Sequence, residues 1–80
     1  MSMEKRVDNQ CDMILRYMQE EGSITPVDAL REFGCFRLGA RIWDLRNRRG
    51  VRIKTLSVRE KNRYGKSVRY ARYELVREGE

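Results

Sequence analysis

Arg37, Arg41 and Arg48 stand four and seven residues apart, in a stretch that also carries Asp44 and Asn47. A guanidinium is a rigid planar fork of donors, so it grips a phosphate, or the O6/N7 edge of a guanine, with two hydrogen bonds at once. The Asn47 carboxamide offers one donor and one acceptor, the pattern that matches adenine. Asp44 lies one turn from Arg41 and from Arg48. There it either pairs with them and fixes their rotamers or accepts a hydrogen bond from cytosine. A second basic cluster follows at Lys61, Asn62, Arg63, Tyr64 and Lys66. Its polar groups suit phosphates, and its tyrosine suits sugar or backbone. This is the chemistry of gripping a polyanion, not of making and breaking bonds.

Groups for bond chemistry are missing. The chain has no histidine, no phosphate-cradling glycine loop and no tight carboxylate pair in an apolar setting, so a non-enzymatic protein is expected. Cys11 and Cys35 cannot complete a four-ligand zinc site by themselves. Both are expected to pack as small hydrophobes, and no metal or cofactor is expected.

The charge is unevenly placed. The net charge is +6, but residues 1–34 hold four basic residues against seven acidic ones, whereas residues 35–80 hold fourteen against five. The first part is thus net −3 and the second net +9, the footprint of a half built to meet a polyanion. At 40% hydrophobic and 38% charged residues, the 80-residue chain reads as one domain with an ordered core over about 5–76. No apolar run approaches the roughly 20 residues that span a bilayer. The opening MSMEKRVDNQCD lacks the apolar stretch of a secretory signal, so a cytoplasmic protein is expected.

The elements that must position these residues follow from periodicity. Val7, Cys11, Ile14, Leu15 and Met18 form one apolar stripe, which predicts a helix from about Lys5 to Glu20, ended by Gly22. Met13 and Tyr17 sit on its flank, as a partner-binding patch or as residues covered by strands or the N-terminal arm. Residues 23–25 are β-permissive. Thr25-Pro26-Val27-Asp28 then has a capping hydroxyl, a proline at the first helical position and an acid three residues on. That helix turns Ala29, Leu30 and Phe33 to the core and stops at Gly34.

A third helix is expected over 37–48, with a buried seam of Leu38, Ile42 and Leu45. Arg37, Ala40, Arg41, Asp44, Asn47 and Arg48 lie on and beside the opposite face, and Trp43 lies on a flank near Gly39 and Arg46. Gly39 costs helix stability, so it permits either close approach of another backbone or packing on the second helix. Beyond Gly50 the period falls to two, predicting strands over Val51–Val58 and Ser67–Val76 joined by a charged tip at 59–66.

Helix, short strand, capped helix, turn, basic helix and hairpin is the order of an α+β winged helix-turn-helix fold: three helices plus a C-terminal antiparallel β-hairpin wing. In that arrangement helix 37–48 fits the major groove of double-stranded DNA, and wing 59–66 reaches the backbone beside it. Ile24-Thr25-Pro26, Ala29-Leu30-Arg31-Glu32-Phe33-Gly34, the run from Arg37 to Arg46, Lys61-Asn62-Arg63-Tyr64-Gly65-Lys66 and Tyr70-Ala71-Arg72-Tyr73 also resemble the small helix-turn-helix domains of phages and prophages. The resemblance spans roughly residues 9 to 76. It implies a winged-helix fold and DNA binding in phage gene control or recombination. The family's arginine-isoleucine-x-aspartate-leucine string falls on Arg41, Ile42, Asp44 and Leu45, while Gly39 replaces its more usual serine or alanine. A transcription regulator and an excisionase-like accessory factor fit equally. A different class also fits: a small phage-type inhibitor acting by protein contact, through Met13, Tyr17 and the acidic half, on a nucleic-acid-guided host nuclease. No dimer seam is specified.

Overall fold

Cys11, Ile14 and Met18 recur at helical spacing, and in the computed structural model they form one buried line along α1, Met3–Glu21. The structure describes the backbone of residues 3–77 and the side chains of residues 9–77, so the Val7 side chain, expected on this line, lies outside the described residues. Leu15 and Tyr17 are partly buried against the same core. Tyr17 meets Phe33 edge to face, with ring centroids 5.7 Å apart. The second helix therefore covers Tyr17, in place of the strands or arm expected to do so. Burial there, with Asp28, Glu21 and Glu32 nearby, raises the Tyr17 phenol above its ordinary range.

After Gly22 the chain forms β1, Ser23–Ile24, and enters α2, Pro26–Phe33. The capping box is complete: the Asp28 amide donates to Thr25 Oγ1 at 3.2 Å and the Thr25 amide donates to Asp28 Oδ2 at 3.0 Å. Two amide donors that a helix start leaves orphaned are thereby satisfied. At the far end Gly34 adopts a φ of 61°, which L side chains resist. There its amide donates to the Leu30 carbonyl, and the next amide, of Cys35, donates to the Ala29 carbonyl. In so short a helix only Ala29 is fully buried, with Phe33 beside it. Leu30, expected in the core, is 45% exposed.

Leu38, Ile42 and Leu45 bury the inner line of α3, Leu38–Arg48, as their spacing requires. Arg37, expected as its first residue, is instead its N-cap and makes no side-chain capping bond. β2, Ile53–Lys61, and β3, Ser67–Leu75, complete a three-stranded antiparallel sheet in the order β1-β3-β2. Ile24 of β1 and Ile53 of β2 join the helices' core, with Tyr73 and Leu75 of β3 packed against it.

Beyond that core the hairpin runs on as a two-stranded ribbon, open along β2 but with Tyr70, Ala71 and Arg72 of β3 half-buried. Every described β2 residue after Lys54 is exposed except Val58, which is half-buried. Two-stranded ribbons are marginal in water. At its base, where β1 still pairs with β3, Lys54 pairs with Glu74 at 3.6 Å, and further along the ribbon Tyr70 donates to Glu60 at 2.8 Å. The latter bond is the main cause of a raised Tyr70 pKa. The ladder persists to Lys61↔Ser67, three residues past the expected end of the first strand, which shortens the loop to 62–66. No helix among the described residues is long and apolar enough to cross a membrane.

Candidate nucleic-acid interface

The register of the hairpin decides which charges lie together. Ile53↔Leu75 and Thr55↔Tyr73 are direct pairs whose side chains turn toward the helices, so alternation sends Ser57↔Ala71 and Arg59↔Arg69 to the same face. Two guanidinium groups therefore stand directly opposite each other on the ladder face that, at the base of the hairpin, turns toward the helices. Like charges in direct cross-strand pairs cost stability. Neither has an acidic partner, and the same holds for Arg37, Arg48, Lys61 and Lys66 among the described residues. A like-charge pair kept at a cost to folding, among other cations without acidic partners, is what an anionic partner would neutralise.

At the tip, Asn62 has a structural task. Its Oδ1 accepts from the amides of Tyr64, at 2.9 Å, and Lys66, at 3.1 Å. The Asn62 amide donates to the Lys66 carbonyl, and Gly65, at φ 77°, makes the reversal possible. Asn62 shapes the tip that presents Arg63, Tyr64 and Lys66. The Arg63 guanidinium lies 5.7 Å over the Tyr64 ring, and that ring is 78% exposed.

On α3 the expected cluster divides. Asn47, Arg48 and Arg37 are exposed. Arg41 and Asp44 are not on an open face: their side chains are 19% and 13% exposed, and Arg41 Nε stands 3.1 Å from Asp44 Oδ2. The two atoms are fully covered but not aligned as a hydrogen bond, so the attraction is one of charge. The cause is α1, which packs along this flank of α3. The Cys11 thiol points to the Arg41 carbonyl at 4.0 Å, and Asp12 pairs with Arg49. The helical wheel placed Arg41 and Asp44 by their angle from the seam and could not show that neighbour. Removing Asp44 alone strands a largely covered cation, so Asp44→Ala is expected to cost about 1–3 kcal/mol. Pairing it with Arg41→Met should recover most of that loss in urea unfolding, since two apolar groups then replace the ion pair.

A family model described as a winged helix-turn-helix domain matches residues 9–78. The chain belongs to the winged helix-turn-helix family. No curated protein and no solved structure matches it. Winged helix-turn-helix domains are typically non-enzymatic DNA-binding modules. The angle between wing and third helix has an identifiable source in this winged helix-turn-helix chain. Arg46 reaches from α3 to β2 and donates to the Ile53 carbonyl through Nε at 3.1 Å and Nη2 at 2.7 Å. The same Nη2 lies 2.7 Å from Thr55 Oγ1. A fork clamped on one carbonyl ties the wing's base to the helix.

Sequence reasoning missed Arg46, Arg59 and Arg69. The signal for the last two was available in parity, because Arg69 is an even step from Tyr73 and Leu75. However, Val68 and Tyr70 read as the apolar phase of the strand, opposite to Tyr73 and Leu75. The continuous register, without a bulge, puts those two apolar pairs on opposite faces.

Gly39 is not compelled by packing on α2: a Cβ there would meet only the Tyr73 hydroxyl, at 3.9 Å. With ordinary helical backbone and ordinary contact, Gly39→Ala should raise stability by about 1 kcal/mol. A thermal melt checks the sign.

Proposed function

We propose that this chain binds double-stranded DNA, with α3 in the major groove and the wing on the flanking sugar-phosphate backbone. The observation that carries the reading is the opposed pair Arg59 and Arg69, unneutralised on the ladder face that at its base turns toward the helices. Arg37 and Arg48 at the two ends of α3, with Lys61, Arg63 and Lys66 on the wing, extend the cationic surface over a hairpin long enough to follow a backbone. Asn47 is the exposed side chain of α3 best suited to a base edge. Arg41 and Asp44 act in this reading by holding α3 against α1 rather than by touching bases. The phage-type resemblance of the Arg41–Leu45 string and of the wing supports a place in gene regulation or recombination.

Binding to a duplex releases condensed counterions, so affinity should fall steeply with salt. With about 5–8 phosphate contacts, log K should fall against log salt with a slope near −4 to −7. Anisotropy titrations at several salt concentrations measure it. A flat response, or no duplex binding at low salt, removes the proposal.

A further inference from the structure

The face of α3 opposite its buried seam is not where the arginines are. Ala40, Trp43 and Asn47 follow one another there at helical spacing of three and four residues, and Trp43 is 59% exposed. Phe36, in the turn entering the helix, is 85% exposed. Cations flank this strip: Arg37 and Arg48 stand at the helix ends, and Arg59 and Arg69 lie further out along the sheet face that packs on the helices at its base. An apolar strip inside a cationic rim is complementary to a surface with apolar groups at its centre and negative charge at its margins. A duplex major groove containing A·T pairs has that build, with thymine methyl groups on its floor and phosphates on both walls.

We propose that the outward face of α3 selects A·T base pairs, with Trp43 and Ala40 packing on thymine methyl groups and Asn47 pairing with adenine. The inference rests on the reading that α3 enters the major groove. The small side chain of Ala40 lets the helix approach the bases, and the broad indole covers methyls on neighbouring pairs. Asn47 donates to its own helix's Trp43 carbonyl at 3.0 Å, in an exposed position where that bond exchanges readily for one to a base. The guanine-suited arginines, by contrast, are paired away (Arg41), clamped to β2 (Arg46) or set at the helix ends.

The test compares the full chain on three alternating duplexes of about 20 base pairs, dA·dT, dA·dU and dG·dC, at one salt concentration. Replacing thymine by uracil removes only the major-groove methyl and leaves the minor-groove edges unchanged. Binding should weaken about fourfold for each methyl that leaves the interface, and dG·dC should bind weakest. Trp43 is the sole tryptophan, so its emission should be quenched on dA·dT. Trp43→Ala, an exposed position, should lower dA·dT affinity, bring the dT-to-dU ratio close to one and leave the salt slope unchanged.

Equal affinity for all three duplexes, with a normal salt slope, overturns the A·T inference and leaves DNA binding standing. Absence of binding to any duplex overturns the DNA-binding reading itself. A dimer in sedimentation that Trp43→Ala abolishes, together with equal dT and dU affinities, assigns the face to a second copy and overturns the inference.

Discussion

Replacing Arg59 and Arg69 together by alanine is expected to weaken duplex binding roughly 60-fold at about 0.1 M salt, while making the protein slightly more stable. The first part follows from counterion release. Each phosphate contact contributes about 0.9 to the slope of log K against log salt, so two lost contacts should flatten that slope by about two and cost about eightfold each at that salt. The second part follows from the ladder, in which the two guanidinium groups face each other directly with no acid between them. Relieving a like-charge cross-strand pair should return roughly 0.2–1 kcal/mol. Few substitutions are expected to move folding and binding in opposite directions, so the pair of measurements is discriminating. If the double variant is less stable, the arginines are holding the ribbon together. If it is more stable but binds DNA as before, the duplex does not lie on this face.

Leu45→Ala is expected to have the largest effect on the fold. Leu45 is completely buried on the seam of α3. Truncating such a leucine removes its transfer free energy and leaves a cavity, costing about 2–5 kcal/mol. Native domains hold only about 5–15 kcal/mol in total, and small ones sit low in that range. The melting temperature should fall by about 4–8 °C per kcal/mol lost. DNA binding should weaken at every salt concentration because α3 loses the packing that fixes it, and the salt slope of the remaining folded fraction should stay as in the parent. Circular dichroism on heating checks the first expectation. A melting temperature within a few degrees of the parent would mean that the α3 seam is not the centre of the core.

What was legible in the sequence is what local chemistry encodes. Thr25-Pro26-Val27-Asp28 announces a helix start because a hydroxyl and a carboxylate at that spacing satisfy two orphan amides, whatever surrounds them. Gly34 and Gly50 announce helix ends because positive φ is cheap only without a Cβ. Leu38, Ile42 and Leu45 identify the inner line of α3 because 3.6 residues per turn align them. These local signals, with the change of period after Gly50, were enough to name the architecture and to place the basic half.

Only the tertiary structure decided which charges are open for recognition. Spacing alone sets Arg41 beside the buried seam, three residues after Leu38 and four before Leu45. A helical wheel contains no neighbour, however, so only the packing of α1 shows that this flank, with Asp44, is closed. The bond from Arg46 to a carbonyl seven residues away leaves no mark in composition or period. The facing of Arg59 and Arg69 depends on a nine-pair register whose phase Val68 and Tyr70 disguised. Burial, partners and register belong to pairs of elements rather than to one. A single chain read in order determines its elements, but the surface those elements jointly present is determined by their packing.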